Sequence, residues 1–67
     1  MEVFAERLRE LRQDKHLSMK QLAKELDTTD AAISNWENQI NDPKIIYLVS
    51  IARYFSVSAD YLLGLED

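Results

Sequence analysis

The chain has 67 residues, 46% of them hydrophobic and 30% charged, with a formal net charge of −4. It has no cysteine and one histidine, His16, which excludes a disulfide framework, a thiolate metal site and an imidazole-rich one. A single domain this short buries only about 60% of its unfolded surface, so its core is thin. No apolar run reaches the roughly 18 residues of a membrane span, and the N-terminus lacks a secretory apolar stretch, so a soluble cytoplasmic protein without membrane contact is expected.

Phe4, Leu8 and Leu11 fall at i, i+4 and i+7, which predicts a first amphipathic helix from about Val3 to Asp14. Glu6, Arg7, Arg9, Glu10 and Gln13 occupy its other faces, at the spacing of a solvated, salt-bridged surface. Ser18 followed by Gln21 is a capping box and starts a second helix, in which Leu22, Ala23 and Leu26 share a face. Asp27-Thr28-Thr29 interrupts that pattern as a tight turn, and Thr29 is a good N-cap for a third helix. There Ala32, Ile33 and Trp36 point inward, while Asp30, Ala31, Ser34 and Asn35 lie off the stripe. Two short helices around a tight turn, the second with a free start and flank, form the arrangement by which a small domain offers one helix to the major groove.

Gln39 to Pro43 reads as a loop, with Pro43 suited to the first turn of a fourth helix capped by Asp42, or to a start one or two residues later. Ile45, Leu48, Ile51, Ala52 and Phe55 keep helical spacing as far as Phe55. Ser56-Val57 turns the chain, Ser58 caps a short last helix through Leu63, and Gly64 stands where helices stop. With one glycine and one proline, an all-α fold is expected: five short helices around one core, forming a single domain over 1–67. Phe4, Trp36 and Phe55 sit on apolar stripes and are expected in the core.

The net charge has the wrong sign for a generic nucleic-acid binder, but its placement matters more. Arg7, Arg9, Arg12, Lys15, Lys20 and Lys24 fall in the first 24 residues, and Asp60, Glu66 and Asp67 gather at the other end. A basic end of this kind faces phosphates with modest, strongly salt-dependent affinity. The helical stripes do not bury Ile40, Ile46 and Tyr54, which with Tyr61, Leu62 and Leu65 suggest a dimer contact; completion of the thin core is the alternative.

These residues resemble the lambda-repressor-like (Cro-type) helix-turn-helix family over nearly the whole chain. The likeness runs from Arg7-Leu8-Arg9-Glu10-Leu11-Arg12 through Leu17-Ser18, Gln21-Leu22-Ala23, Leu26, Ile33-Ser34 and Trp36-Glu37-Asn38. It closes with Pro43, Ile51-Ala52, Phe55 and Val57-Ser58-Ala59-Asp60-Tyr61-Leu62-Leu63-Gly64. The resemblance implies a five-helix fold in which the second and third helices read DNA, and an ion pair between Arg12 and Glu37 that ties the first helix to the end of the third. It implies a groove face made of Thr29, Asp30, Ala31, Ser34 and Asn35. Phosphate contacts are implied from Lys20, Asn38 and Lys44, and from the Ser18–Met19 start of the second helix, where Met19 replaces the family's glutamine. Asp30 could accept from cytosine N4 and Ala31 could touch a thymine methyl. Asp30 also suits a helix first turn with no ligand at all, and Asn35 carries both donor and acceptor groups.

The family's usual glycines are replaced here by His16, Asp27, Gln39 and Ser56, and its basic loop by Gln39-Ile40-Asn41-Asp42. The function implied is a sequence-specific DNA-binding transcriptional regulator, a repressor of phage or mobile-element type, acting as a homodimer on a double-stranded operator. The alternative is a protein-interaction module on the same fold, an anti-repressor or antitoxin-like adaptor, suggested by the acidic balance. One histidine, no cysteine and no glycine-rich loop leave no nucleophile–base constellation, so no enzyme activity, cofactor, metal or small-molecule ligand is expected.

Overall fold

A computed structural model describes residues 2–67. Among these the chain forms α1 (Glu2–Asp14), α2 (Met19–Glu25), α3 (Asp30–Glu37), α4 (Ile45–Phe55) and α5 (Ala59–Leu63). The N-terminal signals act as the residue types dictate. The Ser18 hydroxyl accepts from Gln21 N at 3.0 Å while the Gln21 side chain accepts from Ser18 N at 2.7 Å, closing the capping box. Thr29 caps α3 through Ala32 N at 3.1 Å, and Ser58 caps α5 through Tyr61 N at 2.9 Å.

Of the two expected starts of α4, the later is the one found, two residues past Pro43, and Asp42 is not the cap. Asp42 and Pro43 stay in the loop, and the helix begins at Ile45. Lys44 is its extended N-cap and makes no side-chain cap bond. Ile45 therefore stands in the exposed first turn, 78% accessible, rather than on the inward stripe.

All five helices end in the same way. The residue two past the C-cap region donates back to the carbonyl five positions earlier: Leu17 to Arg12, Thr28 to Ala23, Ile40 to Asn35, Val57 to Ala52 and Leu65 to Asp60, at 2.8–3.1 Å. This is the Schellman arrangement, which requires a left-handed residue just before the donor. His16, Asp27, Gln39 and Ser56 take that conformation with φ between 56° and 61°, and Gly64 takes it with φ 80°. The positions where the family resemblance expects glycine are thus left-handed here, filled by residues with a Cβ.

The core draws on every helix: Phe4 and Leu8 from α1, Leu22 and Ala23 from α2, Ile33 and Trp36 from α3, Ile51 and Phe55 from α4, and Leu62 from α5, joined by Leu26. Leu62 is fully buried and belongs to this core, so it is not a dimer contact. A five-residue helix has room for one inward side chain per turn, and Leu62 takes that place. Tyr61 is partly buried under the Arg7 guanidinium, 4.2 Å from the ring centre, and Tyr54 packs edge-on against Phe55. Ile40, Ile46 and Leu65 are exposed.

Candidate nucleic-acid interface

The α2–turn–α3 unit is held from below by Leu22, Leu26, Ile33 and Trp36, so the opposite surface of α3 has no packing duty. Thr29, Asp30 and Ala31 are exposed there, and Ser34 and Asn35 are half-exposed one turn later. The first-turn N–H groups of α3 end at this surface and give it the positive end of the helix dipole.

Two openings flank α3. One, about 360 Å³, lies between α3 and the start of α4 and brings Asn35 and Lys44 together beside Trp36 and Tyr47. The rings of those two aromatics are 5.4 Å apart and tilted, which fixes the spacing between α3 and α4. The other opening, about 510 Å³, lies between α2 and the start of α3 and brings Lys20 and Lys24 beside Thr29 and Asp30. Lys20 and Lys44 thus stand on opposite sides of α3, each next to a residue of its polar face.

Glu37, at the C-terminal end of α3, has a completely buried carboxylate. Arg12 grips it as a fork, Nε to Oε2 at 2.7 Å and Nη2 to Oε1 at 3.0 Å, and its third arm donates to Leu17 O at 2.9 Å. The hydrogen bond to Glu37 raises the Arg12 pKa above its ordinary value, burial opposes the rise, and the Glu37 charge adds to it, so Arg12 stays charged. A fork of this geometry fixes α1, the α1–α2 turn and the end of α3 to one another.

Arg9, which the sequence places on a solvated face, joins the same carboxylate. Its Nε lies 3.3 Å from Glu37 Oε1, and its Nη2 reaches Glu37 O at 3.2 Å and Asn38 Oδ1 at 3.5 Å. The signal for it is the i, i+3 spacing of Arg9 and Arg12 on one helix, which turns both toward the same neighbour. Asn38 is exposed, but its side-chain amide donates to Ser34 O at 2.9 Å and Ser34 Oγ at 3.2 Å, so its hydrogens are turned back onto the helix rather than outward. Met19 is partly buried against the core, leaving its backbone N–H rather than its side chain at the start of α2. Ser18 has its hydroxyl and backbone N–H engaged in the capping box. Among the described residues no group of histidines and carboxylates is placed to hold a metal, and no helix is long and apolar enough to cross a membrane.

Comparison with known proteins agrees with this geometry. Residues 8–62 match the family described as Helix-turn-helix. The uncharacterized HTH-type transcriptional regulator YobD of Bacillus subtilis is 37% identical over 97% of this chain and 58% of its own length. The HTH-type transcriptional activator BcrR of Enterococcus faecalis is 41% identical over 96% of this chain and 31% of its own. The HTH-type transcriptional regulator ImmR of Bacillus subtilis is 34% identical over 96% and 50%. The chain therefore spans about a third to three-fifths of the curated relatives it matches. Among solved structures, the P22 c2 repressor protein in complex with synthetic operator 9T superposes with a TM-score of 0.84 at 29% identity, covering 88% of this chain and 89% of that one. The N-terminal DNA binding domain of SinR from Bacillus subtilis shares the fold, with a TM-score of 0.85 at 23% identity over 94% and 93%. The chain belongs to the helix-turn-helix family, in its lambda-repressor-like form.

Proposed function

We propose that α3 enters the major groove of a double-stranded operator and reads it with the residues along its free surface. The observation that carries this reading is a polar α3 face with no packing role, on a scaffold that superposes on a repressor solved with its synthetic operator. Asp30, Ala31 and Asn35 are the candidate base readers, with Thr29 and Ser34 beside them. Asn35 has the strongest claim because it can both donate to and accept from a base edge. Lys20 and Lys44, on either side of α3, are proposed for the phosphates of the two strands that border a groove, and the Met19 backbone N–H at the start of α2 adds a donor, the Ser18 N–H being taken by its capping box. Asn38 serves a phosphate only if its amide leaves Ser34, which makes it a weaker candidate than its position suggests.

The chain acts in this reading as a single cytoplasmic, non-enzymatic domain and a homodimer, which sets two copies of α3 about 34 Å apart, one turn of DNA. Exposed Ile45, Ile46 and Val49 on α4, with Ile40 and Leu65, supply apolar surface for self-association. Transcriptional repression of the phage or mobile-element kind is the regulatory outcome proposed. Selection from a random duplex library tests the reading: enrichment of a palindromic site supports it, and failure to enrich any sequence at low salt contradicts it.

A protein-interaction module on the same fold is the second reading. The net charge of −4 and the absence of basic residues from Gln39-Ile40-Asn41-Asp42 favour it. Binding to a protein partner through apolar α4 contacts would change little with salt, whereas DNA binding weakens steeply.

A further inference from the structure

We infer that Arg9, on α1, is a DNA-interface residue that delivers a cation to the phosphate backbone at the C-terminal end of α3. This rests on the DNA-binding reading above. The end of α3 and the loop that follows bring no cation of their own: residues 38–43 are Asn-Gln-Ile-Asn-Asp-Pro and contain no lysine or arginine. The Asn38 amide hydrogens, the obvious donors there, are both spent on Ser34. Arg9 reaches this corner from a different helix. Its side chain remains 45% exposed even while it touches Glu37.

A guanidinium has five N–H donors. In Arg9 the Nε hydrogen and the Nη2 pair are directed at Glu37 Oε1, Glu37 O and Asn38 Oδ1, and among the described residues the Nη1 pair has no protein acceptor. The contacts hold the side chain in one place without consuming it.

The charge count favours an anion as the remaining partner. Glu37 carries one negative charge, and Arg12 alone matches it with a two-point fork at 2.7 and 3.0 Å. Arg9, at 3.3 Å and half in solvent, is the second cation on a carboxylate already paired. The C-terminal dipole of α3 offsets roughly half a charge, so the cluster stays positive in a chain whose total is −4. A positive guanidinium pre-set beside the polar face of α3, with one edge open, suits a phosphate oxygen through charge-assisted hydrogen bonds. It acts also as a positioning residue, since it holds Glu37 O and the Asn38 side chain at the helix end.

The test is a salt titration of operator affinity for the full chain and for Arg9→Gln and Arg9→Lys, using the duplex enriched from a random library. Loss of one phosphate contact lowers the slope of log Kobs against log salt by about 0.9 per bound copy of the chain. Per bound copy, the advantage of the unsubstituted chain over Arg9→Gln then shrinks about 3.5-fold between 50 and 200 mM salt. Arg9→Lys keeps the charge and is expected to keep the slope, with weaker binding because an ammonium cannot hold the Glu37 and Asn38 contacts and an outward edge at once. An unchanged slope in Arg9→Gln overturns the proposal, whether or not affinity falls, because loss of positioning alone does not change the number of phosphates neutralised. Failure of the unsubstituted chain to bind any duplex overturns the DNA reading and this inference together. A salt-sensitive parent with an indifferent Arg9→Gln overturns this inference alone.

Discussion

Replacing Arg12 by methionine removes the fork from Glu37 while keeping a side chain of similar reach and apolar stem. Two charge-assisted hydrogen bonds are lost, at 2.7 and 3.0 Å, together with the bond to Leu17 O at 2.9 Å. The Glu37 carboxylate stays fully buried with only the longer, half-exposed Arg9 contact at 3.3 Å. Breaking one side of a buried pair costs roughly 3–5 kcal/mol. At about 0.05–0.15 kcal/mol per residue, a chain of this size has a total stability of roughly 3–10 kcal/mol. Arg12→Met should therefore remove a third or more of the stability and populate unfolded chain at moderate temperature. Replacing both partners, Arg12→Met with Glu37→Leu, removes the uncompensated charge as well. That variant should recover most of the loss, to within about 1–2 kcal/mol of the parent, because the pair was expensive to desolvate. Urea unfolding followed by the fluorescence of Trp36, the one tryptophan and a buried residue adjacent to Glu37, measures all of these on the same probe. A loss under about 1 kcal/mol for Arg12→Met, or a double variant as unstable as the two singles summed, would mean that the fork does not hold Glu37 in this way.

Other consequences follow from the helix ends. Gln39→Gly and Ser56→Gly, at φ 61° and 56°, should each stabilise by about 0.5–1 kcal/mol as judged by thermal unfolding, because a Cβ is costly in the left-handed region. Asp27→Gly should gain less, since aspartate tolerates that region. Gly64→Ala should destabilise by about 1–2 kcal/mol on the same assay: a Cβ there meets Val3 Cγ1 at 3.0 Å at φ +80°. Ser18→Ala should cost about 1 kcal/mol by losing the hydroxyl half of the capping box, and Ser18→Thr should recover most of it in urea unfolding.

The parts of the fold legible in the sequence are those decided within a few residues. Ser18, Thr29 and Ser58 are legible as caps because the bond each makes spans three positions of chain. The left-handed sites at His16, Asp27, Gln39 and Ser56 are legible through the family resemblance, since none of these residue types announces itself as a glycine would. What the sequence hides depends on tertiary placement. The five-residue α5 covers less than two turns, so its periodicity does not show that Leu62 is core, nor that Leu65, just past Gly64, is 73% exposed. Ile45 continues the apolar spacing of α4 but falls in the turn that projects beyond the core. The exposed surface of α3 is legible as a polar flank, whereas the convergence of Arg9 and Arg12 on Glu37 spans 28 and 25 residues of chain and emerges only when α1 packs against α3.

Groove reading by α3 is measured by the affinity of the chain and of Asn35→Ala for the selected operator and for each of its single-base variants. If α3 reads base edges, Asn35→Ala should lose discrimination at one position per half-site, a change of about 1–3 kcal/mol there, and keep it elsewhere. Equal discrimination by both proteins at every position, or binding that no base change alters, would contradict major-groove reading by α3.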